Sequence, residues 1–286
     1  VSDFSNIDWS TGNIYVKIEY QDNISPNFTV LDTIKAGTTF FAFASRTTER
    51  LRNIEISTTT PTTDQVLKFN GTQWSPSSFS MPSIQVFTNV GNFNYITPPG
   101  VKYIEVEMVG GGGGGGSTGT LMTSSGNGGN TTFGNSLLIA NGGLGGGTNI
   151  MGGIGGNATI GSSLQGIAFK GATGNPGQNT SIANVYGTGG SGGSSPFGGA
   201  GAGAFDGTNG ESAIANTGSG GGGGGSFGGI NGGSGGGSGG YIKTLIINPS
   251  SNYSFTIGSG GLGAIGGQLN GGNGASGIII IKEYRQ

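Results

Sequence analysis

The chain has 286 residues, a formal net charge of −2, no cysteine and no histidine. The low charge, without a basic cluster, excludes the electrostatic footprint of nucleic-acid binding, and the missing cysteine excludes disulfides and thiolate sites. The missing histidine removes the commonest metal ligand and general base, and no run of about 18 apolar residues predicts a membrane span. We therefore expect no cofactor, no metal site and no membrane insertion, and we expect a piece of a longer protein because the chain begins at Val1.

Residues 1–45 are predicted to form a small β module. Ile14, Val16 and Ile18 alternate with polar residues and Tyr15, which is the pattern of a half-buried strand. Residues 21–26 supply turn formers, and the apolar residues between 28 and 43 supply further strand positions. Such a short module has few side chains for a core.

Residues 46–80 are predicted to be a neck or connector with a hairpin. Leu51 and Ile54 are three apart in the most charged stretch of the chain, so a short helical neck is one interpretation of residues 46–56. Residues 64–76 carry the clearest hairpin pattern. Asn70-Gly71 is the favoured pair of a type I′ turn, and Trp74 is expected to pack back across it.

Residues 81–286 are predicted to form one β domain. Strands are expected around Ile84 and Val86, around Phe93 and Tyr95, and at 104–108, 242–247, 253–257 and 278–284. In the third of these, Ile104, Val106 and Met108 should face one side while Glu105 and Glu107 face the other.

A glycine block interrupts this β framework. Residues 110–277 hold 63 of the chain's 68 glycines and only four charged residues. Ordering so much glycine costs the most backbone entropy, so the block is either a flexible linker or a structure held by backbone hydrogen bonds.

A spacing of three favours the ordered alternative. Met151, Ile154 and Ile160 flank Gly-Gly pairs with Asn157 in the same phase, and residues 171–179 read as three triplets that begin with glycine. Three residues per turn is typical of the extended left-handed helix, which makes no internal hydrogen bonds and needs neighbours. The triplets fail too soon for collagen. We predict stacked polyglycine-II-type helices inserted into a β-sandwich-like domain, in an all-β chain.

Two binding motifs are rejected and one carboxylate pair is kept as an alternative. Gly-x-Gly-x-x-Gly matches by composition alone, and neither Lys170 nor Lys243 completes a phosphate loop. A calcium β-roll needs a repeated aspartate, whereas Asp206 is the only one in the block. Glu105 and Glu107 are two residues apart on one strand, which brings their separation near that of the two carboxylates of an inverting glycosidase. A solvated strand face is the simpler interpretation.

Aromatic and polar residues in the less glycine-rich loops, 117–125, 177–186 and 204–217, are the candidates for binding a ligand. Aromatics bring contact area at low entropy cost, and Asn and Thr side chains can hydrogen-bond hydroxyls. Tyr186, Phe197, Phe205 and Phe227 lie in or beside glycine runs, where plugging the bundle is the alternative role. The ligand-binding candidates are Tyr186, Phe197, Phe205, Asp206 and Asn209.

Four blocks in order carry a resemblance over residues 81–286. They are YITPPGVKYIEVEMV at 95–109 running into seven glycines, a GGSGGY stretch in the region 235–241, YSFTIGSGG at 253–261 and GASGIIII at 274–281. Together they resemble the glycine-rich C-terminal domain of phage tail fibres and related bacterial fibre proteins. Residues 7–19 and 40–45 look like a repeated module of bacterial surface fibres, and residues 64–74 are similar to tail-fibre repeats. Predatory bacteria carry mosaic adhesive trimeric fibres of this plan.

The resemblance implies a homotrimer whose C-terminal domain is an adhesive tip. Residues 1–45 would then belong to a fibre shaft, 46–80 to a neck, and 81–286 to the tip. We expect a non-enzymatic, extracellular or virion-borne adhesin that recognises an envelope glycan or outer-membrane component, with three weak sites gaining avidity. The alternatives are a structural cap or spacer without a ligand, a glycan-cleaving tip enzyme using Glu105 and Glu107, and, remotely, an ice-binding surface.

Overall fold

The structure is a computed structural model that describes residues 15–20, 29–35, 50–119, 124–147, 151–178, 186–205, 207–228 and 230–285. Over these residues the chain is all-β, with sixteen strands and no helix. The strands are β1 Tyr15–Tyr20, β2 Thr29–Lys35, β3 Arg50–Leu51, β4 Ile54–Glu55, β5 Gln65–Phe69, β6 Trp74–Ser78, β7 Ser83–Phe87, β8 Gly91–Ile96, β9 Val101–Val109, β10 Thr131–Phe133, β11 Leu138–Ala140, β12 Ala158–Ile160, β13 Gly166–Phe169, β14 Tyr241–Ile247, β15 Asn252–Ile257 and β16 Ile278–Arg285.

The chain divides into two compact units, Val1–Phe79 and Ser80–Gln286. In the first unit the described strands form three separate two-stranded antiparallel sheets, β1-β2, β3-β4 and β5-β6. The predicted strand at Ile14–Ile18 is confirmed as β1, apart from Ile14 itself, and the predicted strand position Val30 lies on β2. Ile14 and the other predicted strand positions, Phe28, Phe40, Phe41 and Phe43, lie outside the described residues.

Two local predictions in the first unit are wrong: the helical neck, and the type of turn in the second hairpin. Leu51 and Ile54 do not lie on a helical neck but pair directly across a β-hairpin, because Arg52 and Asn53 both have positive φ, as a type I′ turn requires. The second hairpin is confirmed, with Phe69 opposite Trp74 and their rings 5.5 Å apart.

The turn of that second hairpin is not the expected two-residue type I′ turn. Four residues, 70–73, connect the strands, and Gly71 has positive φ whereas Asn70 does not. The reason is the Asn70 side chain, whose Oδ1 accepts hydrogen bonds from the backbone N–H groups of Thr72 at 3.0 Å and Gln73 at 2.9 Å. A side-chain turn of this kind replaces the backbone geometry that the Asn-Gly pair predicts.

The second unit contains two five-stranded antiparallel sheets that share one hydrophobic core. Sheet 1 has the strand order β13-β14-β9-β16-β7 and sheet 2 has the order β12-β11-β10-β15-β8. Ile104, Val106 and Met108 of sheet 1 are fully buried against residues of sheet 2 such as Phe133 and Phe255. The sheets therefore pack face to face as a sandwich, and the predicted alternation in β9 is confirmed.

A buried glutamate ties the edge of sheet 1 to sheet 2. Glu283 on β16 is almost fully buried and accepts hydrogen bonds from Ser83 at 2.5 Å, Gln85 at 2.5 Å and Tyr95 at 2.9 Å. Arg285 also lies 3.1 Å from the carboxylate. Burial alone would raise the pKa of Glu283, but these hydrogen bonds and the arginine outweigh it and hold the pKa below its ordinary value.

The glycine block is not a single insertion, because it contains the two predicted strands β14 and β15 and also four short strands, β10 to β13, that the sequence did not predict. The structure also corrects the role of Ile160, which lies on β12 and packs against the core rather than continuing the spacing of three. Between the strands the chain runs as extended segments that hydrogen-bond to one another through backbone groups. We call this set of segments the glycine bundle.

Three segments, 110–118, 217–226 and 232–240, lie at the centre of the glycine bundle and are completely buried. We call them the central segments. In segment 110–118, successive backbone N–H groups donate hydrogen bonds of 2.8–3.0 Å to three neighbouring segments in rotation. Residues 110, 113 and 116 donate to segment 232–240. Residues 111 and 114 donate to segment 124–130, and residues 112 and 115 donate to segment 268–277. Its carbonyls accept from three other neighbours, 141–147, 217–226 and 258–265. One extended chain is thus surrounded by six.

The other two central segments have six hydrogen-bonded neighbours each in the same way. Among the described residues, nine perimeter segments close a ring around the three: 124–130, 141–147, 151–157, 171–178, 186–193, 199–205, 208–214, 268–277 and 258–265. On the perimeter, every third residue faces outward. Met151, Ile154 and Asn157 are exposed, as the spacing of three predicted, and so are Ser259, Leu262 and Ile265.

Close approach of the backbones explains why the central segments are glycine. At every glycine of these segments except Gly225, an added Cβ would come within 3.0 Å of a neighbouring backbone atom. The backbones can exchange hydrogen bonds on all sides only because the side chains are absent.

Candidate functional site

The glycine bundle has two different ends. Adjacent segments in the chain run in opposite directions, because donors and acceptors between them pair in antiparallel order. Eight segments are continuous with strands β9 to β16 at one end. Six chain connections begin and end at the other end, after residues 118, 147, 178, 205, 226 and 265. We call this second end the distal end.

An aromatic pair lies at the distal end. The rings of Tyr186 and Phe227 are 5.0 Å apart at an interplanar angle of 45°, and the two residues are 49% and 45% exposed. They are held together because Gly187 and Ser226, which adjoin them, exchange two backbone hydrogen bonds of 3.0 and 2.9 Å. The Ser226 hydroxyl also donates to the carbonyl of Ile230 at 2.6 Å. The rings are thus fixed to two bundle segments while their faces remain accessible.

A tight turn brings the connection after segment 199–205 against this pair. Gly207 has a φ of +76°, and a Cβ at this position would lie 3.1 Å from the Tyr186 ring. Two residues before it, Phe205 is 71% exposed, and the Phe205 carbonyl accepts from the Thr208 hydroxyl at 2.8 Å. The predicted candidate Asp206 lies outside the described residues.

Asn209, another predicted candidate, has a structural contact on one side. Its Oδ1 accepts from the backbone N–H of Asn270 at 2.8 Å, which joins segments 208–214 and 268–277. The residue is exposed, and its amide NH₂ makes no hydrogen bond within the described part of the chain. Asn209 therefore keeps two donors for a ligand.

Phe197 is not near the other candidates. It lies within a turn closed by a hydrogen bond from Gly198 N–H to the Ser195 carbonyl, at the end of the bundle where the strands begin. Its ring lies 6.2 Å from that of Tyr241, the first residue of β14, at 62°. The structure therefore places Tyr186 beside Gly207 and beside Phe227, an aromatic residue of the glycine runs that was not among the five ligand-binding candidates. It places Phe197 at the opposite end of the bundle.

Glu105 and Glu107 lie on the outer face of sheet 1, each beside its own partners. Glu105 is 2.9 Å from Lys282 and 3.4 Å from Lys243, and Glu107 accepts from the Tyr241 hydroxyl at 2.7 Å. Partial burial would raise the pKa of Glu105, but the two lysines outweigh it and lower the pKa. Burial and the Glu107 hydrogen bond both raise the pKa of Tyr241. The general acid of a glycosidase needs a raised carboxyl pKa, which is the opposite of the shift at Glu105.

Within the described residues, no cluster of three or more acidic side chains could hold a metal ion. The same residues contain no helix that is long and apolar enough to cross a bilayer.

No protein-family model, curated protein or solved structure matches this chain.

Proposed function

We propose that this chain is the tip of an extracellular or virion-borne fibre, and that it attaches the fibre to a target-cell surface without catalysing a reaction. The observation that carries the proposal is the distal end of the glycine bundle, where exposed aromatic side chains sit on backbone-bonded segments. A rigid aromatic surface favours binding because little side-chain entropy is lost on contact.

The segments of the bundle have the properties of polyglycine-II-type helices. Their hydrogen bonds rotate through three directions with a repeat of three residues, and all of them go to neighbouring segments. Three residues per turn without internal hydrogen bonds describes the extended left-handed helix. Such a bundle would serve as a stiff support for the side chains at its distal end.

The ligand that fits best is an envelope glycan or a polar outer-membrane surface. Tyr186 and Phe205 offer apolar ring faces, and Asn209 and Tyr186 offer hydrogen-bonding groups at the same end of the bundle. Sugar rings present both an apolar face and hydroxyls, so a site that combines ring faces with amide donors matches their chemistry.

Two features of the first unit favour the association of three chains. Each of its described sheets has only two strands, and the hairpin β5-β6 exposes Val66 on one face and Leu67 and Phe69 on the other. An isolated two-stranded hairpin is at best marginally stable in water. Two identical neighbours would cover both faces of this hairpin, and a homotrimer provides two neighbours for every chain.

The binding test uses fluorescently labelled protein on a panel of intact bacteria and purified envelope polysaccharides. Phe205→Ala is expected to reduce binding at least tenfold without changing the melting temperature. Phe169→Ala is the matched control, because Phe169 is also an exposed phenylalanine, at 56%, but lies on β13. Equal losses for both variants, or no binding across the panel, would exclude a distal adhesive site and favour a structural cap.

The trimer is tested separately by light scattering. We expect three times the chain mass of 28.2 kDa at micromolar concentration. A monomer at that concentration would contradict the homotrimer without affecting the binding test.

A further inference from the structure

The outer face of sheet 2 differs in chemistry from the rest of the second unit. Strands β8 and β15 alternate between buried aromatic residues, such as Tyr95 and Phe255, and exposed amides and hydroxyls. Cross-strand pairing places these polar residues side by side: Asn92 opposite Thr256, Thr256 opposite Thr132, and Asn94 opposite Ser254. The face is therefore a small array of neutral hydrogen-bonding groups.

This array lines a groove. Two adjoining depressions of about 360 and 620 Å³ share Asn94, Asn135 and Ser254 in their walls, so they form one continuous feature that we call the amide groove. Each volume lies in the range of about 300–1,000 Å³ that is typical of ligand sites. Apolar atoms of the exposed Phe93, the half-buried Leu137 and the buried Tyr253 and Phe255 contribute to its floor and walls.

One wall of the amide groove is held in an unusual backbone conformation. Gly134, Asn135 and Ser136, in the turn between β10 and β11, have φ of +66°, +54° and +70°. Non-glycine residues seldom adopt a positive φ, and backbone strain of this kind concentrates at ligand-binding positions. This turn places the Asn135 side chain beside Asn94 and Ser254, at the centre of the amide groove.

The hydrogen-bonding groups at that centre are unused. Asn92 and Thr256 bond to each other at 2.7 Å, but the side chains of Asn94, Asn135 and Ser254 make no hydrogen bond within the described part of the chain. Two primary amides and a hydroxyl together offer both donors and acceptors. They suit a ligand that also carries both, such as a chain of hydroxyl groups.

The charge of the amide groove narrows the ligand class. None of the described lining residues is charged, so a phosphate or a carboxylate would find no counter-charge to replace its hydration. We propose that the amide groove is a second binding site, on the flank of the sandwich and separate from the distal end, and that it takes a neutral oligosaccharide. Apolar sugar faces pack on the floor while hydroxyls bond to Asn94, Asn135 and Ser254.

The test is a titration of the deuterated, ¹⁵N-labelled 286-residue chain with neutral tetrasaccharides, namely maltotetraose, cellotetraose and chitotetraose, followed by amide chemical shifts. At least one probe is expected to shift amides of β8, β15 and residues 134–137 at concentrations up to about 10 mM, an affinity worth roughly 3–4 kcal/mol. Tetragalacturonate, the charged counterpart, is expected to bind more weakly.

Variants connect the shifts to the proposed contacts. Asn94→Ala and Ser254→Ala are each expected to weaken binding about tenfold, the loss of one or two hydrogen bonds to a ligand. Ser259→Ala is the matched control, because Ser259 is an exposed serine on a bundle segment and should leave the affinity unchanged.

Three outcomes would overturn the assignment: no shifts with any neutral probe, shifts confined to the distal end, or tighter binding of tetragalacturonate. Binding of cells through Phe205 is measured independently, so failure of one site is distinguishable from failure of the other.

Discussion

Close packing of the central segments makes a sharp prediction about two glycines in one segment. Gly222 and Gly225 are three residues apart in segment 217–226 and so occupy the same rotational position. A Cβ added at Gly222 would lie 2.5 Å from the carbonyl carbon of Ala202 and closer still to its oxygen. A Cβ added at Gly225 would have its nearest neighbour, the Gly187 carbonyl oxygen, at 3.3 Å. We therefore expect Gly222→Ala to be strongly destabilising and Gly225→Ala to be tolerated.

The magnitude follows from the hydrogen bonds between the two segments that clash. Reaching an ordinary contact requires segments 217–226 and 199–205 to separate by about 1.5 Å. This stretches the bonds from Gly201 N–H to the Gly220 carbonyl, at 3.0 Å, and from Ala204 N–H to the Gly223 carbonyl, at 2.9 Å, past the usual limit of about 3.2 Å. Two lost hydrogen bonds at about 1 kcal/mol each, with overpacking of 1–3 kcal/mol, amount to about 4 kcal/mol. For a domain of this size the melting temperature should fall by roughly 10 °C.

The measurement is calorimetric unfolding of the wild type and both alanine variants. Gly225→Ala should change stability by less than about 1 kcal/mol, because the small contact strain is offset by the reduced entropy of the unfolded chain. Equal melting temperatures for the two variants would refute the argument that close backbone approach, rather than glycine content in general, holds the bundle together.

Three further predictions concern the bundle, the buried carboxylate and the hairpin of the first unit. Amide hydrogen exchange should be slower in segment 232–240 than in segment 151–157, because the former is enclosed by six neighbours; the reverse order by mass spectrometry would contradict the packing. Since the pKa of Glu283 is held below its ordinary 4.5, its contribution to stability is complete above that pH and is lost as the pH falls through the lowered value. Melting temperature against pH should therefore fall more steeply below about 4.5 in the wild type than in Glu283→Gln, and parallel profiles would refute this. Asn70→Ala should destabilise the β5-β6 hairpin by about 1 kcal/mol, seen as faster exchange at Phe69, and unchanged exchange would show that the side-chain turn contributes nothing.

Some features of this protein follow from local sequence. The strands at 104–108 and 253–257 are visible because a half-buried strand repeats its burial every two residues. The strand that begins at Ile278 is visible because four consecutive isoleucines favour extended backbone. The outward phase of Met151, Ile154 and Asn157 is visible for the same kind of reason, since a three-residue turn exposes every third side chain. Local periodicity carries this information without knowledge of the neighbours.

Other features were decided by tertiary structure alone. Glycine has no side chain, so a glycine sequence does not encode which segment it will meet. The six partners of segment 110–118 range from the next segment along the chain, 124–130, to segment 268–277. For the same reason the pairing of Tyr186 with Phe227 and the separation of Phe197 from both could not be predicted, because each depends on where backbone hydrogen bonds place its segment. The amide groove likewise exists only where β8, β10 and β15 lie side by side. Backbone hydrogen bonding is nearly independent of residue identity, whereas close approach requires glycine, so composition determined that a packed bundle could form and the three-dimensional arrangement determined which surfaces it presents.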